Sequence, residues 1–87
     1  MDRRRGAMSD LDRRFDDRGR RWAERMLERL QTHWLEVPLV WPGTREQAET
    51  IVHALSDDSL TEDERNHLVE IVQTGARNAW RDMVGNA

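Results

Sequence analysis

The segment Glu64-Arg65-Asn66-His67 sets a carboxylate and an imidazole three residues apart. On a helix that spacing stacks both side chains on one face, as in helical di-iron carboxylate centres. Glu46 and Glu49, one segment earlier, are further carboxylates at the same spacing, but His53 beyond them faces away from the apolar side of its helix. A working centre also needs a carboxylate projecting inward from another helix. In the first helical segment Glu24 and Glu28 fall on the polar face instead. Glu64 is moreover the third residue of a Thr-x-x-Glu capping box, which already accounts for it. No metal and no cofactor are expected.

Other chemistry has less to draw on. Three His and three Ser, with no Cys and no Tyr, offer few nucleophile–base pairs and no motif to join them. No catalytic residue is assigned, and the chain is read as non-enzymatic. The acidic run Asp57–Glu64 lacks the glycine and the alternating ligands of a calcium loop. The absence of cysteine removes disulfides and thiolate metal sites and fits a reducing cytoplasm. No apolar run approaches the length of a membrane span, and no secretory signal is legible.

Arginine is the remaining chemistry. All fourteen basic residues are Arg, and ten of them fall within residues 1–29. That stretch holds seven acids, a net of +3, whereas residues 30–87 hold four Arg against ten acids, a net of −6. An Arg-rich helix with aromatics suits phosphate neutralisation and base stacking. Against this, Asp10–Arg14, Asp16–Arg20, Asp17–Arg21, Arg21–Glu24 and Arg25–Glu28 stand at ion-pairing helical spacings. The concentrated positive excess is then Arg3, Arg4 and Arg5, in a basic tail over residues 1–8. Met8-Ser9-Asp10 reads equally well as a start, so this tail carries little weight. Nucleic-acid association through Arg3–Arg5 is kept as the alternative function.

The elements that hold these residues are helical. Ser9 caps a long helix over about residues 10–34, with Asp10 and Asp12 in its first turn. Leu11, Phe15, Gly19, Trp22, Ala23, Met26, Leu27, Leu30 and Trp34 recur at steps of three and four, forming one broad apolar stripe. Gly19, at its centre, is either a mild weak point of the helix or a place where another helix approaches closely. Pro38 and Pro42 stop the helix and give an extended, apolar connection from Leu35 to Gly43. Leu39, Val40 and Trp41 are expected to lie over the core as a lid, the alternative being that Leu39 and Trp41 are presented to a partner.

Thr44-Arg-Glu-Gln47 is a capping box for a short helix over about 45–55. Thr61-Glu-Asp-Glu64 caps a last helix over about 62–84. Gly75, Ala76 and Ala79 keep the middle of the last helix's apolar face small. No segment alternates with the period of a strand. The expectation is an all-α domain over residues 9–87, completed by dimerisation.

Two likenesses follow from short motifs. Glu64-x-x-His67 with Glu46 and Glu49 resembles the small encapsulated ferritins, which implies a di-iron site assembled by a dimer. Trp41-Pro42-Gly43, between helical regions of a chain under a hundred residues, resembles the WXG family. That likeness implies a hairpin of two long helices, an antiparallel four-helix dimer and export by a specialised secretion system. The chain departs from the WXG pattern at Ser56–Thr61, where its second half is broken, and in lacking the Tyr of the export signal.

Taken together, the residues favour a protein–protein interaction module: an accessory subunit or small regulator that self-associates or docks through apolar helix faces. Phe15, Gly19, Trp22, Met26, Leu30, Leu39, Trp41, Trp80 and Met83 are the candidates for core or partner interface. The partner is a protein or a second copy, with no membrane and no nucleic acid in the main reading.

Overall fold

The computed structural model describes residues 9–85, and it is all-helical. Helix α1 spans Asp10–Thr32, α2 spans Arg45–Leu55 and α3 spans Glu62–Trp80, with a π-helical turn Arg81–Gly85 continuing α3. The expected basic tail at residues 1–8 lies outside the described residues. Ser9 caps α1 by accepting from the Asp12 backbone N–H at 3.1 Å. Both capping boxes form in full: Thr44 with Gln47 at the start of α2, and Thr61 with Glu64 at the start of α3.

Helix α1 ends two residues earlier than its apolar period suggests. Trp34 takes φ 56°, the left-handed conformation. The Leu35 N–H then reaches the Leu30 carbonyl at 2.8 Å and the Trp34 N–H reaches Gln31 at 3.2 Å. These two bonds form a Schellman cap, whose left-handed position is usually glycine because a Cβ there costs energy. Trp34 leaves the stripe altogether and is 92% exposed.

Helices α1 and α3 run parallel. Asp12 faces His67, Gly19 faces Val72, and Ala23 packs with Ala76 and Ala79. Helix α2 runs back antiparallel to α3, with Arg45 on Glu70 at one end and His53 near Glu62 at the other. The α1–α3 contact is close at two glycines. A Cβ on Gly19 would stand 2.2 Å from the Val72 carbonyl oxygen, and one on Gly75 would stand 2.6 Å from that of Asp16. Each glycine thus admits the other helix's backbone, as the stripe suggested for Gly19.

Two clusters fill the interior. The first joins Phe15 of α1, Ala48 and Val52 of α2, and Leu68, Val69 and Val72 of α3. The second, toward the C-terminal ends of α1 and α3, joins Ala23, Ala76, Ala79 and Trp80 to Trp41 of the connection. The short α2 therefore covers only one half of the α1–α3 pair. The connection covers the other half, through Val37 and Trp41.

The Cα extents are 44 × 32 × 15 Å. Two helix layers about 8–10 Å apart, each with a Cα radius of about 2.3 Å, give roughly that least dimension. Helices α1 and α3 form one layer. Helix α2, which packs chiefly on α3, and the connection form the other.

Candidate functional site

The connection between α1 and α2 is anchored by indoles. Trp41 meets Trp22 edge-on, with centroids 4.8 Å apart and planes at 90°, and meets Trp80 at 5.3 Å and 61°. Edge-to-face pairs of this kind add about 0.5–1.5 kcal/mol each beyond their buried area. Both buried indole N–H groups are satisfied: Trp41 Nε1 donates to Gln73 Oε1 and Trp80 Nε1 to the Pro38 carbonyl, each at 2.9 Å. Gly43 is folded under Trp41, where a Cβ would come within 2.2 Å of the indole. Trp41-Pro42-Gly43 is thus a packing unit, in which the glycine makes room for the ring.

The lid expected over Leu39–Trp41 is only partly one. Trp41 is buried at 8% exposure, but Leu39 and Val40 stand 76% and 78% exposed. The two prolines force extended backbone, and extended backbone turns successive side chains to opposite sides. Val37 and Trp41 point in. Leu39, two residues from each, does not follow a strict alternation, because the chain bends at Leu39–Val40. With Trp34 and Leu35, the latter 55% exposed, these residues place four exposed large apolar side chains within one seven-residue stretch. Met83, 37% exposed, sits on the turn that prolongs α3 toward the same end.

The remaining interface candidates divide clearly. Phe15, Gly19, Trp41 and Trp80 are buried within the chain's own core. Trp22, Met26 and Leu30 are half-buried against it. The α1 stripe is therefore taken up largely by α3 and the connection, and Leu11 and Trp34 at its two ends are the members left exposed.

The charged face of α1 differs from its sequence spacing. Of the five expected pairs only Asp16–Arg20 forms, at 3.2 Å; Asp10 turns to Arg13 at 3.7 Å. Among the described residues Arg14, Arg18, Arg21, Arg25 and Arg29 make no ion pair. Exposed pairs gain only about 0–1 kcal/mol, so correct spacing alone does not hold them together. Arg18, Arg25 and Arg29 line a groove of about 320 Å³ between α1 and α2, with Trp22, Met26 and Ile51. Sequence reasoning missed this groove. Its signal was the spacing of those three arginines at i, i+7 and i+11, one face of a helix.

The metal-like residues are engaged elsewhere. Glu64 Oε1 accepts from the Thr61 N–H at 2.8 Å, and His67 Nε2 pairs with Asp12 at 3.1 Å, tying the N-terminal turns of α1 and α3 together. Glu49 pairs with Arg45 at 3.2 Å. Among the described residues no three His, Asp or Glu side chains converge. In the turn before α3, the Ser59 hydroxyl and N–H donate to the Asp57 carboxylate and hold its pKa below the ordinary 3.8. Among the described residues no helix is long and apolar enough to cross a membrane.

Comparison with known protein families, curated proteins and solved structures finds no match. The hairpin of two long helices implied by the WXG likeness is not the arrangement here. Helix α2 has 11 residues, and the two long helices lie parallel with α2 between them in sequence.

Proposed function

We propose that the chain is a non-enzymatic, cytoplasmic protein–protein interaction module, an accessory subunit or small regulator. The observation that carries the reading is the exposed set Trp34, Leu35, Leu39 and Val40 on a connection otherwise pinned by Trp41 and Val37. Four large apolar side chains on so short a stretch are a binding surface in the making, because covering each is worth roughly 1.5–3 kcal/mol. Trp34 adds weight to this. It holds a left-handed conformation costing about 1–2 kcal/mol and buries almost nothing in return. Folding of the isolated chain gains nothing from an indole there, whereas a partner's pocket would.

The test is capture of partners from the source cells by the tagged chain and by its Leu39→Asp and Val40→Asp forms. The wild type should retain a specific protein that both variants lose with their helicity unchanged. Retention of nothing above a control, or equal retention by all three, overturns the reading.

The alternative, a nucleic-acid-associated regulator, draws on the unpaired arginines of α1 together with Arg3, Arg4 and Arg5. It requires binding that weakens steeply with salt and with Arg3, Arg4 and Arg5 changed to Ala. Absence of binding at low salt removes it.

A further inference from the structure

The two-layer arrangement leaves one helix position open. Helix α2 sits chiefly over α3, and beside it, over α1, runs the groove lined by Arg18, Arg25, Arg29, Trp22, Met26 and Ile51. Its apolar components suit a helix face, and its three guanidinium groups suit an acidic one. We propose that this groove receives α2 of a second copy of the chain. The result is a two-fold dimer in which two α2 helices lie side by side between two α1–α3 layers. The proposal rests on the interaction-module reading and names one partner for it.

Position supports the assignment. Gln47, Thr50 and Ile51 of α2 stand level with the Arg18–Arg29 wall and Leu55 with Leu11 and Phe15, so a second α2 at the same height meets the wall with its first two turns. Charge supports it too. The solvent side of α2 carries Glu46, Thr50 and Ala54, with Glu49 and His53 on its flank, all exposed. Glu46 makes no ion pair among the described residues, so it is available to arginines that also lack one.

Symmetry selects the geometry. A two-fold axis parallel to α2 carries each α2 into the other copy's groove and sets each α1 above the partner's α2. A two-fold normal to the layers would instead drive α3 into the partner's α1. The parallel axis makes the contact isologous, so it closes at two copies and every α1–α2 charge contact occurs twice. Along the axis the two α2 helices would meet through Gln47, Thr50 and Ile51, the residues that α2 already turns toward the groove.

The experiment is light scattering after size exclusion, on the full chain and on Arg25→Glu and Glu46→Arg. Both positions are exposed, so circular dichroism should report unchanged helicity. The wild type should run at twice the chain mass at micromolar concentration. Each reversal should raise the dimer dissociation constant by at least about tenfold, since like charges are then opposed at both contacts. Mixing the two variants should restore the dimer. In the mixed pair one contact keeps the native Arg25 and Glu46, and the other carries the same two charges exchanged between the helices. A monomeric wild type overturns the proposal, and so does a dimer that tolerates both reversals or a mixture that fails to recover. Leu39→Asp should leave the dimer intact. Loss of partner capture without loss of dimer, or the reverse, therefore separates failure at the connection from failure at this groove.

Discussion

Two glycines and one tryptophan carry much of the local physics. Gly19 and Gly75 face backbone atoms across the α1–α3 contact, and backbone cannot step aside as a flexible side chain can. Gly19→Ala gains up to about 1 kcal/mol of helix propensity but forces the helices apart at their tightest point. A net loss of about 1–3 kcal/mol is expected, as for other overpacked cores, read as a lower urea midpoint. Gly75→Ala should behave alike. Unchanged midpoints for both would mean that the helices do not meet there. At Trp34 the sign reverses. Trp34→Gly relieves the left-handed strain and forfeits almost no burial, so it should stabilise the fold by about 0.5–1 kcal/mol. The same substitution should weaken capture of a partner through the connection, and a variant both more stable and equally competent would remove Trp34 from the binding surface.

Among the elements, the caps are the most local and the connection the least. Thr44 and Thr61 each accept the N–H three residues on, at 3.2 and 3.1 Å, and changing either to Ala should cost about 1 kcal/mol in denaturant unfolding. The turn before α3 has a pH signature. Hydrogen bonds from Ser59 depress the Asp57 pKa, so their stabilisation is present above the ordinary carboxylate value and is lost as pH falls through the depressed one. Carbon-13 titration should place Asp57 below 3.8 and Ser59→Ala should return it toward that value. The helix starts were readable because a capping box is satisfied within four residues. The end of α1 was not, since Trp34 continues the apolar period and nothing in its residue type announces a left-handed turn. The connection was half readable. Its apolar content and prolines announced a packed crossing, but which side chains turn inward depends on where Trp22, Gln73 and Trp80 stand.

At the scale of the molecule, charge and layering set what the surface can do. A parallel pair of long helices, half covered by α2 and half by the Trp22–Trp41–Trp80 chain, leaves an apolar end at the connection and a basic groove along α1. If the groove's arginines act through charge, raising ionic strength should loosen whatever occupies it while leaving binding at Leu39 and Val40 nearly unchanged. Salt-dependent light scattering and salt-dependent capture, measured side by side, check this.

The all-helical class, the three segments and their starts were determined by the sequence alone, which offered the close approach at Gly19 as one of two readings. Each depends on short-range rules: periodicity, capping chemistry, and the steric cost of a missing or added Cβ. The partition of the aromatics was decided only by the tertiary structure, with Phe15, Trp41 and Trp80 inside, Trp22 at the boundary and Trp34 in solvent. So was the fate of the α1 arginines, whose spacing permitted pairs that exposed side chains have little free energy to hold. Helix direction was likewise a tertiary outcome, because α1 and α3 could be set parallel only once an 11-residue α2 had carried the chain back.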